Sequence, residues 1–99
     1  MLNIEKKANG TELTVVLAGR LDTTTAPELE NELKNSLDNV TKLVIDLEGL
    51  EYISSAGLRV LLSAQKIMNG KDGMKVTHVR ETIMEIFEVT GFSDILTIE

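Results

Sequence analysis

Apolar positions recur with period two at the start of the chain, lengthen to helical spacing and then switch back, and each switch marks an element. Residues 3–7 and 12–20 read as extended segments, joined by Ala8-Asn9-Gly10-Thr11, whose Asn-Gly pair signals a tight antiparallel hairpin. Thr14-Val15-Val16-Leu17-Ala18 is apolar enough for an interior strand, and residues 19–24 make a loop that carries Asp22. Beyond it Ala26, Leu29, Leu33 and Leu37 fall on one helical face, opposite Glu30, Lys34 and Asp38. Thr25-Ala26-Pro27-Glu28 fits a capping box with proline in the first turn.

Residues 42–47, with Leu43, Val44 and Ile45 in sequence, read as a strand buried on both faces, reached through a right-handed parallel crossover. A loop at its carboxyl end leads into a second helix over Ser55–Asn69. On that helix Leu58, Leu61, Leu62, Ala64, Ile67 and Met68 cover a broad inward arc, which leaves Ser55, Arg59, Ser63 and Lys66 outside. A glycine-punctuated turn follows at 69–73, then a parallel strand over 74–79. The last helix, Glu81–Thr90, turns Ile83, Ile86, Phe87 and Met84 inward and ends on Gly91 as a left-handed cap, with Phe92 folded back on it. Residues 95–98 close the sheet. Two strands followed by three helix-strand repeats make an α/β domain, a single unit over 1–99 whose mixed β-sheet opens with an N-terminal antiparallel hairpin.

Composition narrows the chemistry. The formal net charge is −6, so nucleic acid phosphates are repelled and a basic partner is more natural. With no cysteine and one histidine, His78, neither a thiolate zinc site nor a cysteine nucleophile is available, and His78 is assigned no role. No apolar run reaches the length of a membrane span, and Met1-Leu2-Asn3-Ile4-Glu5-Lys6-Lys7 lacks the features of a signal peptide, so a cytoplasmic location is expected. Phosphate-binding and dinucleotide-binding glycine loops are absent, and no lysine or histidine stands near the serines in sequence to serve as a base, so catalysis is not expected. Asp46 is expected to satisfy backbone groups at the end of its strand.

Candidate chemistry concentrates where the third strand meets the second helix. Either Ser54 or Ser55 could cap that helix, and Gly57 in its first turn calls either for close approach by a partner backbone or for tight packing on the domain's own sheet. The run Asp46-Leu47-Glu48-Gly49-Leu50-Glu51-Tyr52-Ile53-Ser54-Ser55-Ala56-Gly57-Leu58-Arg59-Val60-Leu61 resembles the signature of STAS domains, the family of bacterial anti-sigma factor antagonists. Gly19-Arg20-Leu21-Asp22 and Val89-Thr90-Gly91-Phe92 resemble two further family segments, in the same order. Ser54 and Ala56 stand where many antagonists carry aspartate and a hydroxyl residue.

The resemblance implies that Ser55, with Ser54 as second choice, is the phosphoacceptor. The partner surface is expected over Asp22, Thr24, Ser54, Ser55, Ala56 and Gly57 around the proposed acceptor and, because Arg59 and Lys66 stand seven residues apart on the outer side of the helix that begins there, over Arg59, Ser63 and Lys66 as well. Unphosphorylated, the protein would bind an anti-sigma factor serine kinase and free its sigma factor. The kinase, with its own ATP and magnesium, would then phosphorylate Ser55 and eject the protein, and a serine phosphatase would reset the switch; the domain itself needs no cofactor. The alternative is a STAS-type scaffold or adaptor in a sensory or lipid-transport assembly, with the serines acting only as cap and loop hydroxyl.

Overall fold

The computed structural model describes residues 1–99. Strands β1 (Leu2–Asn9) and β2 (Glu12–Leu21) form the hairpin, with Asn9 paired to Glu12 across the turn and Gly10 at φ +64°. Helix α1 (Ala26–Ser36), a short 3-10 turn (Leu37–Asn39), β3 (Lys42–Ile53), α2 (Ser55–Asn69), β4 (Met74–Thr77) and α3 (Glu81–Thr90) follow. The sheet order is β1-β2-β3-β4, antiparallel for the first pair and parallel for the others. One cluster of 25 buried apolar residues runs from Leu2 to Leu96.

Several expectations change. β3 is not buried on both faces: Leu43, Ile45 and Leu47 are buried, whereas Lys42, Val44 and Asp46 are half-buried, and β2 alternates in the same way. The helices therefore cover one face of the sheet, and Val16 and Val44 belong to the other. Nor does β3 stop at Leu47. It continues to Ile53 because two irregularities each add one residue relative to β2, where Val16–Ala18 is matched by Asp46–Gly49 and Gly19–Arg20 by Leu50–Tyr52. These bulges return Leu47, Leu50 and Ile53 to the core side although they stand three apart.

The final strand shrinks to a single bridge, Val76 to Ile98, after a 3-10 turn at Phe92–Asp94, and Ile95 is half-exposed instead of paired. On α2 the inward arc is rotated toward Val60 and Gln65, which are buried, while Ile67 is exposed beside α1. The fourth strand, expected over 74–79, ends at Thr77, where His78 turns to φ +54°. On α3, Ile83 and Phe87 are buried and Gly91 caps the helix at φ +82°, as expected.

Candidate functional site

The parallel pairing of β2 with β3 carries both candidate loops to one edge, and the Ser54 N–H donates to the Leu21 carbonyl at 2.9 Å to tie them together. The two serines divide the labour. Ser54 occupies the N-cap of α2 in extended conformation, its Oγ accepting the Gly57 N–H at 3.5 Å while its carbonyl accepts the Leu58 N–H at 3.0 Å. Ser55 is the first helical residue and is exposed, and its hydroxyl makes no hydrogen bond within the chain. Ala56 is half-buried beside it.

Gly57 faces inward. A Cβ built there would lie 2.7 Å from Leu21 Cγ and 2.9 Å from Ile53 Cγ1, so the close approach that requires glycine is made by the domain's own core. Of the two readings of Gly57, packing is the one the geometry supports, and its backbone is not offered to a partner.

Asp22 organises its loop. One carboxylate oxygen accepts the Thr24 N–H at 3.0 Å, the Thr24 hydroxyl at 2.7 Å and the Thr25 N–H at 3.1 Å. Those bonds to the ionised form, the Thr24 hydroxyl foremost and the Thr25 and Thr24 N–H groups after it, hold the Asp22 carboxyl below the usual carboxylate range against the opposing effect of partial desolvation. The capping box does not form. Thr25 is buried at the N-cap position of α1, but its hydroxyl donates backward to the Arg20 carbonyl at 2.8 Å and accepts the Asp22 N–H at 2.8 Å.

A depressed folded-state pKa contributes stability that is present above the unfolded value and lost as pH falls through the folded one. The wild-type chain should therefore lose stability below about pH 4 in a step that Asp22→Asn removes. Urea midpoints measured down the acid range check this, and parallel acid limbs for the two proteins would refute it.

Between α1 and α2 the same edge opens a groove of about 480 Å³ lined by Thr23, Pro27, Glu30, Ala56, Arg59, Val60, Ser63 and Lys66. Ser55, Arg59, Ser63 and Lys66 are all exposed, as the helical spacing requires. Arg59 and Lys66 have no carboxylate partner, whereas Lys6, Arg20, Lys34 and Lys75 each sit within 4.0 Å of one. The candidate surface is thus a groove of mixed polarity with two free cations on one wall.

Arg20 and Tyr52 escaped the sequence reading. Register places them opposite each other on β2 and β3, and the Arg20 guanidinium lies 4.4 Å from the centre of the Tyr52 ring, with its Nε 3.8 Å from Asp22 Oδ2. Tyr52, at 39% exposure, presents the one tyrosine of the chain at this edge. Their pairing depends on the second β3 bulge, which no residue pattern announces. Asp46 does serve the backbone as expected, accepting the Glu48 N–H at 2.9 Å within the first bulge. Its other oxygen lies 3.2 Å from His78 Nδ1, so the histidine helps to hold the strand end.

A family model described as "Mlab, STAS domain" matches residues 4–97. An anti-sigma-B factor antagonist of Bacillus subtilis (strain 168) is 30% identical over 98 residues, covering 98% of this chain and 90% of the relative. The crystal structure of an anti-sigma factor antagonist from Mycobacterium paratuberculosis superimposes with a TM-score of 0.89 at 23% identity, over 99% of this chain and 85% of that one. SpoIIAA, a Bacillus cell fate determinant, in its phosphorylated form gives a TM-score of 0.75 at 16% identity, over 100% of this chain and 91% of that one.

Proposed function

The chain belongs to the STAS domain family, and from that membership we propose that it is an anti-sigma factor antagonist, a protein-protein switch controlled by phosphorylation of Ser55. Unphosphorylated, the edge formed by the Asp22–Thr24 loop, Ser55 and the Arg59–Lys66 wall binds an anti-sigma factor kinase and so releases a sigma factor. The kinase transfers the γ-phosphoryl group of its own ATP to Ser55 Oγ, with loss of the hydroxyl proton and release of ADP. A phosphatase hydrolyses the phosphoserine and restores binding. A switch that acts on a sigma factor through such a kinase would work in the cytoplasm. No helix of the chain is long and apolar enough to cross a membrane.

The observation that carries the reading is the unequal use of the serines: Ser54 is committed to the cap, whereas the Ser55 hydroxyl is exposed and unbonded at the start of α2. The added charge, about −1.5 to −2, falls within the contact surface, so release needs no change of fold. Incubation with candidate anti-sigma kinases and magnesium-ATP, followed by peptide mass spectrometry, is expected to place phosphate on Ser55. Phosphate on Ser54, or none with any kinase that binds the protein, overturns the reading. The cap on Ser54 gives a foothold to a second reading, a STAS scaffold or adaptor without a phosphoswitch, and stable binding that ATP leaves unchanged is its signature.

A further inference from the structure

We propose that phosphoserine at position 55 captures Arg59 within the same helix, so that phosphorylation withdraws a cation from the partner surface while adding negative charge to it. Ser55 as phosphoacceptor is taken from the preceding reading; the capture is a separate property of α2. Four residues of helix put Arg59 about 6 Å along the axis from Ser55 and about 40° around it. Helical Cα–Cβ bonds tilt toward the N-terminus, so the Arg59 side chain leans back over the turn that holds Ser55. An anion placed four residues before a cation is also the favourable order along a helix.

Neither group is engaged within the chain. Arg59 is exposed and without a carboxylate partner, and Ser55 is exposed with a free hydroxyl. The charged groups that share the groove are Glu30 of α1, engaged by Lys34 at 3.6 Å, and Lys66, nearly two turns beyond Arg59. At the loop, Asp22 faces Arg20 at 3.8 Å. A phosphate on Ser55 would meet the first-turn N–H groups, which precede the first intrahelical bond from Leu58 to Ser54, and the Arg59 guanidinium, whose fork suits two phosphate oxygens. Lysine at position 59 would offer charge without that fork.

The capture is testable without kinase or partner. Phosphoserine is encoded at position 55 in the full chain, and the phosphate is titrated by phosphorus NMR in the wild-type background, in Arg59→Gln and in Lys66→Gln. Capture by Arg59 lowers the second phosphate pKa of the wild-type background relative to Arg59→Gln by at least about 0.3 pH unit, roughly twofold in the acid dissociation constant. Lys66→Gln should titrate like the wild-type background, and the Arg59 difference should collapse in about 1 M salt. Equal midpoints for the wild-type background and Arg59→Gln overturn the capture, and so does an equal shift in Lys66→Gln, which would mean a diffuse field. Failure of a kinase to modify Ser55 would instead count against the switch and leave this titration as it stands.

Discussion

Ser55→Ala is expected to bind the anti-sigma partner with unchanged affinity and to remain bound when magnesium-ATP is added, whereas the wild-type protein is released. The expected difference in affinity after ATP treatment is on the order of 100-fold, because phosphorylation adds about −1.5 to −2 charges to the contact surface and pairing with Arg59 would offset only part of that while removing a cation from the partner's reach. The substitution should leave the melting temperature almost unmoved, since the side chain is exposed and the helix is capped by Ser54, not by Ser55. Ser54→Ala is the matching control. It removes the oxygen that accepts the Gly57 N–H and should cost about 0.5–1 kcal/mol, low in the usual range because that bond is long at 3.5 Å, while phosphorylation persists. Partner titrations by calorimetry with and without ATP decide the matter. Release of Ser55→Ala by ATP would refute the switch as assigned.

What the sequence made legible, and what it hid, follows from the range of the interactions involved. The hairpin at Asn9 and Gly10, the helix over Ser55–Asn69 and the left-handed cap at Gly91 depend on neighbours a few residues away, so local pattern suffices. The convergence of the Asp22 and Ser54 segments was also readable, because a parallel crossover carries strand ends to one edge. The far half of β3 was not. Its core residues Leu47, Leu50 and Ile53 repeat every three positions, which matches neither strand nor helix period, and only pairing with β2 shows that each step contains a bulge.

The one-sided burial of the sheet was hidden for a related reason. Val16 and Val44 look like interior residues, yet they point to the face that no helix covers, and their apolarity suits a half-buried pleated surface just as well. Thr25 reads as the hydroxyl of a capping box, but the Arg20 carbonyl and the Asp22 N–H claim it from behind. Tyr52 and Arg20 meet across two strands through a shifted register, so their contact is a product of tertiary structure alone.

Gly57→Ala should lower the melting temperature by about 4–15 °C, a loss of roughly 1–2 kcal/mol for a domain of this size. Two effects oppose each other. Alanine is better than glycine inside a helix by about 1 kcal/mol, which alone would raise stability. Against this, the new methyl group would lie 2.7 Å from Leu21 Cγ and 2.9 Å from Ile53 Cγ1. Leu21 Cγ is a branch point and Ile53 Cγ1 is bonded directly to the branched Cβ, so both lie close to the backbone, and both side chains are buried, at 0% and 3% exposure, so neither can swing aside. Overpacking of this kind costs about 1–3 kcal/mol, and three atoms at or inside 3.0 Å put this clash in the upper part of that range, about 2–3 kcal/mol, which exceeds the helical gain. Leu21 and Ile53 end the strands that lead to Asp22 and Ser54, so part of the strain should reach the partner edge, and affinity should fall no further than stability does. The clash is isolated by combining Gly57→Ala with Leu21→Ala, which removes the obstructing branch at its own cost of about 2–5 kcal/mol. The double variant should be more stable than the sum of the two losses allows, because the alanine methyl would partly fill the space that Leu21 vacates. An unchanged melting temperature for Gly57→Ala, together with lost partner binding, would reverse the assignment and make this glycine a point of contact for the partner's backbone.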